Sequence, residues 1–239
     1  MLASLRSVFN HPGLRRLLVR LRVPLAIVAI VAAVVFAVAA RPQAHGRVAF
    51  VLGLYLVYAT LAGGLRMVAF LSFFVGMVVA FIGATTLRDF DLEIYTIELI
   101  GFSMLREFGV VLTGIVLAGR TNSSFTAQIG TMKMRQEVDA MQTLGLKAMD
   151  VLVAPRVIAM VIMTPILTFV ATLAGIAGGA AVAWAALDIN PAVFVERMRN
   201  SVPIDQFWIG MSKSPVFGLV VSLIACRQGL QVGGSVQSL

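Results

Sequence analysis

The chain has 239 residues, of which 59% are hydrophobic and 13% charged, with a formal net charge of +8. An ordinary soluble domain is about a quarter charged, so a soluble globular fold is excluded. Nucleic-acid binding falls with it, because no basic face interleaved with stacking aromatics stands out; the surplus Lys and Arg read as the cytoplasmic bias of a membrane protein.

In chain order, Met1–Arg22 carries Arg6, Arg15, Arg16, Arg20 and Arg22 ahead of the first apolar block. Pro42 makes Ala39-Ala40-Arg41 a poor signal-peptidase site, so the segment reads as retained. Apolar blocks follow at Pro24–Ala40, Val48–Leu65, Met67–Leu87, Val157–Leu187 and Val216–Cys226. Many blocks near the ~20 residues needed to cross a bilayer predict an all-α, polytopic transmembrane bundle.

Loop charges set the orientation. Arg88–Glu98 holds one Arg against Asp89, Asp91, Glu93 and Glu98, which puts it outside. Arg120–Arg156 holds Arg120, Lys133, Arg135, Lys147 and Arg156, which puts it inside, with the basic N-terminus. Helix parity places Asp188–Gln206 outside and the Arg227 end inside. Met67–Leu87 then runs outward, so the two earlier blocks both cross or both stay at one face. Crossing would expose Arg41 and Arg47 outside, which favours Val48–Leu65 as interfacial or re-entrant. The chain therefore divides into an N-terminal basic segment, 1–65, holding interfacial or re-entrant (elbow) segments or else extra membrane helices, and a core, 66–239.

In Val157–Leu187, Ala171, Gly175, Gly179 and Ala183 recur every fourth residue, a face that admits close helix approach. Pro165 is expected to kink this helix. Gly114 and Ala118 form a shorter face of the same kind, and Phe207–Cys226 is a span interrupted by Lys213 and Pro215. No internal repeat supports an inverted-repeat transporter.

Gln128–Leu144 is polar and amphipathic. Met134, Val138, Met141 and Gly145 fall at spacings of four, three and four, one helical stripe. Lys133–Glu137 and Arg135–Asp139 are i,i+4 pairs, and Gly145 is placed to cap the C-terminus. Periodicity alone leaves two readings open: a helix resting on lipid headgroups, or one presented to a partner protein.

Arg106, Glu107 and Lys213 interrupt apolar sequence, and ionisable groups at membrane depth cost ~2.5–3.5 kcal/mol each. They form a helix-packing pair with a nearby Lys, or they present cations to a lipid phosphate balanced by Glu107. His11 and His45 are the only histidines, so neither a metal site nor histidine-based nucleophilic catalysis is expected. No Gly-x-x-x-x-Gly-Lys-Ser/Thr loop is present, so no ATP or magnesium is expected on this chain. Cys226 lies in an apolar run as a small buried hydrophobe.

The runs LREFGVVLTGIVLAGR (105–120), AQIGTMKMRQEVDAMQTLG (127–145), APRVIA (154–159), KSPVFGL (213–219) and CRQGL (226–230) resemble the MlaE/YrbE permease family. The resemblance implies the membrane subunit of an ABC-type phospholipid transporter in the bacterial inner membrane, multi-pass, with a cytoplasmic N-terminus. Its partners would be a second copy of itself, an ABC ATPase that hydrolyses the ATP, and an MCE-domain lipid-binding protein, with room for a small STAS-like accessory subunit. It makes Gln128–Leu144 a coupling helix, with Lys133, Met134, Arg135, Glu137, Val138, Asp139 and Met141 towards the ATPase. It assigns a lipid pocket to Val79, Thr86, Leu87, Phe90 and Phe108. Thr121-Asn122-Ser123-Ser124 replaces the family's Gly/Ala-rich stretch, Gln136-Glu137 inverts its Glu-Gln order, and Lys147-Ala148 stands for Asp-Pro. The family ends with a further membrane helix, so a chain cut short after Leu239 is expected. A stand-alone ion-coupled transporter of a hydrophobic substrate is the alternative, followed by a non-transporting scaffold or a lipid-modifying enzyme.

Overall fold

A computed structural model describes residues 46–233, with side chains from Gly63 onward. The described residues are helical throughout, without strands, and four helices are long and apolar enough to cross a membrane. This is a multi-pass helical membrane protein. The Pro24–Ala40 block lies outside the described residues, as do residues 234–239.

Helix α1 is Gly46–Arg88, a single run of 43 residues. The two blocks that hydropathy separates, Val48–Leu65 and Met67–Leu87, are thus one uninterrupted helix. At 1.5 Å per residue it is about 65 Å long, roughly twice the hydrocarbon thickness. A short 3₁₀ turn, Glu93–Tyr95, opens the second span, which comprises α2 (Thr96–Ser103), α3 (Gly109–Val116) and α4 (Ser123–Met134). Two π-helical turns, Met104–Phe108 and Leu117–Asn122, join these three into one continuous rod. Helix α5 is the separate short piece Glu137–Thr143. A third π-helical turn, Met149–Val153, leads into α6 (Ala154–Leu187), which continues through Pro165. Helix α7 (Pro191–Ser201) and helix α8 (Asp205–Leu230) complete the described residues.

Helices α1 and α6 pack along their lengths and run parallel: Gly64 meets Leu167 in the first half of α6, and farther along both helices Gly76 meets Gly175 and Phe73 meets Gly178. The backbones touch at the last two. A Cβ on Gly76 would collide with the Gly175 carbonyl, and one on Gly178 with the Phe73 carbonyl. The predicted small-residue face is therefore an interface: Ala171, Gly175, Gly179 and Ala183 are all buried, against α1 and also against Ile100 and Met104. Of the shorter face, Gly114 is buried under Phe217 while Ala118 is exposed.

Helix α8 runs parallel to the second span. Gly210 abuts the Leu105 carbonyl, Thr126 donates to the Ala225 carbonyl at 2.9 Å, and Gly229 packs on Ile129. The turns between spans then fall at two ends. One end gathers Asp89, Asp91, Glu93, Glu98, Asp188, Glu196 and Asp205 against Arg88, Arg197 and Arg199. The other carries Arg120, Lys133, Arg135, Lys147, Arg156 and Arg227 against Glu137, Asp139 and Asp150. At the acidic end, Arg197 Nε on α7 donates to Glu98 Oε1 at 2.9 Å and its guanidinium lies over the Tyr95 ring. Asn190 caps α7 by accepting from the Ala192 amide at 2.9 Å, with Pro191 at the first helical position.

The bundle is longer than a bilayer is thick. The second span, Glu93–Met134, is about 63 Å long at 1.5 Å per residue, and its last turns pack in a core of their own around Ile129, Val153, Val157, Val161 and Cys226. We expect Gly178→Ala to drive a methyl into the Phe73 carbonyl and destabilise the bundle by about 1–3 kcal/mol. Gly119→Ala, where a Cβ meets nothing within 4 Å, should be neutral. Thermal unfolding in detergent, followed by size-exclusion chromatography, distinguishes the two; equal melting temperatures would refute the backbone contact.

Candidate functional site

The structure brings Arg106, Glu107 and Lys213 together. The π-helical turn Met104–Phe108 carries Arg106 and Glu107, and α8 brings Lys213 to them because Gly210 admits the Leu105 carbonyl. Lys213 Nζ donates to Glu107 Oε1 at 2.8 Å, and Arg106 Nε stands 3.4 Å from the same oxygen. One carboxylate thus serves two cations, leaving a surplus positive charge. About half of each of the Arg106 and Glu107 side chains is exposed, so the group lies open at the bundle surface.

The five candidate pocket residues are dispersed in character. Val79 is half-buried against the core of Ala80, Ile97, Ile100 and Met104. Thr86 is exposed and its hydroxyl donates to the Ile82 carbonyl at 2.9 Å. Leu87 is half-buried, while Phe90 and Phe108 are exposed, on the turn after α1 and beside Glu107 respectively.

The basic end corrects the expected helix Gln128–Leu144. Gln128–Met134 is the end of the membrane-spanning rod, and the chain breaks at Gln136, whose φ of 60° is left-handed. Helix α5 is what remains. The break shifts the ion pairs: Lys133 bonds Asp139 at 2.9 Å, and Arg135 approaches Glu137 at 3.9 Å, in place of the i,i+4 pairs that a continuous helix would form. It also turns the apolar stripe inward. Val138 is buried, Met134 and Met141 are half-buried, and Leu144, just past the end of α5, projects at 77% exposure.

Gly145 does cap α5, as its position suggests. With φ of 78°, its amide donates to the Gln142 carbonyl at 3.0 Å, and the Leu146 amide donates to the Met141 carbonyl at 2.9 Å. This is a Schellman motif, with half-buried Met141 and Leu146 in the apolar pair that accompanies it. Beneath α5 lies a groove of about 660 Å³, lined by Lys133, Val138, Leu146, Lys147, Met149 and Leu230 among others. Among the described residues, no three His, Cys, Asp or Glu side chains form a group able to hold a metal.

Residues 53–239 match the family described as Permease MlaE. The chain belongs to the MlaE permease family. It is similar to a probable ABC transporter permease protein of Synechocystis sp., 37% identical over 140 residues, covering 59% of this chain and 53% of the relative. A probable ABC transporter permease protein of Rickettsia bellii is 36% identical over 170 residues, 71% of this chain and 65% of that one. The ycf63 permease protein of Pyropia yezoensis, also described as a probable ABC transporter permease, is 31% identical over 183 residues, 77% and 70% of the two chains. The chain spans between half and two thirds of the length of the first two relatives.

Three features of this permease escape a reading of pattern alone. Arg156, counted as a loop cation, is 5% exposed in the first turn of α6. Arg120 bonds the Gly63 carbonyl of α1. Leu144, outside the periodic stripe, is the exposed tip of the short helix. The left-handed residues around α5 respond in opposite directions to substitution, since a left-handed conformation costs a non-glycine residue roughly 1–2 kcal/mol. Gln136→Gly should therefore increase hydrogen-exchange protection across 137–146, and Gly145→Ala should reduce it. Unchanged protection in both would contradict the cap geometry.

Proposed function

We propose that this MlaE-family permease is the membrane subunit of an ABC transporter that moves phospholipid, working as a homodimer with a separate ATPase and an MCE-domain lipid-binding protein. The observation that carries the reading is α5, a short helix held out from the basic end between a left-handed residue and a Schellman cap. A membrane bundle has no need of such an element for its own packing. The positive-inside rule turns this end to the cytoplasm, where nucleotide is available; the membrane is then the bacterial inner membrane, and the Arg-rich sequence of residues 1–22 belongs on the same side by its own charge.

In this mechanism the ATPase grips the exposed side of α5, with Leu144 as the apolar contact and Glu137, Asp139 and Arg135 around it. The buried Val138 seats α5 on α4 and acts indirectly. Movement of α5 passes into the rods of α4, α6 and α8 and changes the spacing of the helices at lipid depth. There Arg106 and Lys213 attract a lipid phosphate, Glu107 keeps the two cations in place while the site is empty, and Phe108, Phe90, Thr86 and Leu87 lie along the path of acyl chains. Apolar contact of this kind is non-directional, which suits chains of varied length.

Two measurements test the reading. Leu144→Asp should abolish recovery of the ATPase with the permease from native membranes, while Leu173→Asn, elsewhere on the exposed surface, should leave it intact. A wild-type complex isolated without any ATPase would overturn the proposal. Arg106→Ala combined with Lys213→Ala should slow phospholipid transfer by roughly tenfold, equivalent to about 1.4 kcal/mol, with ATPase binding retained. Transfer at the wild-type rate would remove the headgroup role from both residues.

A further inference from the structure

Arg156 is held by three uncharged groups. Its Nη1 donates to the Leu152 carbonyl at 2.8 Å, its Nη2 to Gln128 Oε1 on α4 at 3.2 Å, and its guanidinium lies 5.6 Å from the centre of the Phe125 ring, also on α4. Its Nε has no hydrogen-bond partner. Among the described residues no carboxylate pairs with it; burying a guanidinium on neutral partners is costly, and an apolar side chain would fill the same space without that cost. What the guanidinium adds is a planar fork with donors fixed in two directions, one gripping its own helix and the other gripping α4.

The surroundings give that fork a mechanical meaning. Helix α5 packs chiefly on α4, through Lys133–Asp139 and the buried Val138, with the groove separating part of it from the rest of the basic end. A displacement of α5 thus enters the bundle through α4. From α4 to α8 the connection is close and direct, through the Thr126 hydroxyl on the Ala225 carbonyl and the contact of Gly229 with Ile129. From α4 to α6 the polar connection at this level is Arg156 with Gln128.

We infer that Arg156 is a positioning residue that locks α4 to α6, so that displacement of α5 moves both helices together. The inference rests on the proposed docking of an ATPase at α5. It concerns coupling between hydrolysis and transport, and not the capacity for either.

The test uses the complete complex in vesicles of phosphatidylethanolamine and phosphatidylglycerol carrying a fluorescent phosphatidylethanolamine, with ATP hydrolysis and lipid transfer read in the same sample. Gln128→Leu alters an exposed position and leaves the Leu152 and Phe125 contacts of Arg156 in place. It should keep hydrolysis within about twofold of wild type while lowering lipid moved per ATP at least fivefold. Arg156→Lys should do the same, and Gln128→Glu, which preserves an acceptor, should restore the ratio. If Arg156→Lys does not fold, Gln128→Leu and Gln128→Glu decide the matter alone. An unchanged ratio in Gln128→Leu, or hydrolysis and transfer falling together, would overturn the inference while leaving α5 docking intact. Loss of the docking reading shows separately, as a wild-type complex that lacks an ATPase.

Discussion

Helices in a bilayer gain little by hiding apolar surface from one another, since lipid tails are as apolar as leucine. Their association depends on close packing and on satisfying polar groups internally. In this permease that constraint is met where α1 and α6 run side by side and Gly76, Gly175 and Gly178 let one backbone rest on the other. The contact sets the interaxial distance, and the second span then lies across it, with Ile100 on Gly179 and Met104 on Gly175. Helix α8 closes on that span by the same device at Gly210 and Gly229. The charged group of Arg106, Glu107 and Lys213 follows from it: a side chain at 210 would push α8 outward and part Lys213 from Glu107.

The basic end is organised differently. Beyond the hydrocarbon region, water competes for every polar group, so the packing there resembles that of a small soluble protein. Ile129, Val153, Val157, Val161 and Cys226 form an apolar centre, with ion pairs and capped turns around it. Lys133 and Asp139 are partly exposed, and a bridge of that kind contributes little stability. Its effect is directional, holding α5 at one angle to α4. The permease thus joins a membrane bundle to a small, separately packed platform at its basic end.

Much of this was legible in the residues themselves. Small-residue spacing marks the packing face of α6, though not α1 as its partner, and hydropathy marks α8 as a span. Gly145 announces its cap because a glycine after an amphipathic turn has one common structural use. The break at Gln136 was hidden, because glutamine is an ordinary helix former and no glycine or proline marks the left-handed position. The same break reassigns Lys133 from Glu137 to Asp139 and leaves Leu144 projecting, details no periodicity can supply once the helix is interrupted. Arg156 misleads for a related reason: arginine near a membrane boundary is usually solvated, and only the meeting of α4, α6 and α8 encloses it.

The wide turns at Met104–Phe108 and Leu117–Asn122 have one more consequence. Each accommodates a surplus residue without interrupting the rod, and each therefore rotates everything downstream by about 100° relative to a regular helix. The face that Thr126 presents to α8 is a product of that added twist. Homologous chains can thus keep the same spans and loops yet present different residues to lipid and to the platform, simply by gaining or losing a single position within a wide turn.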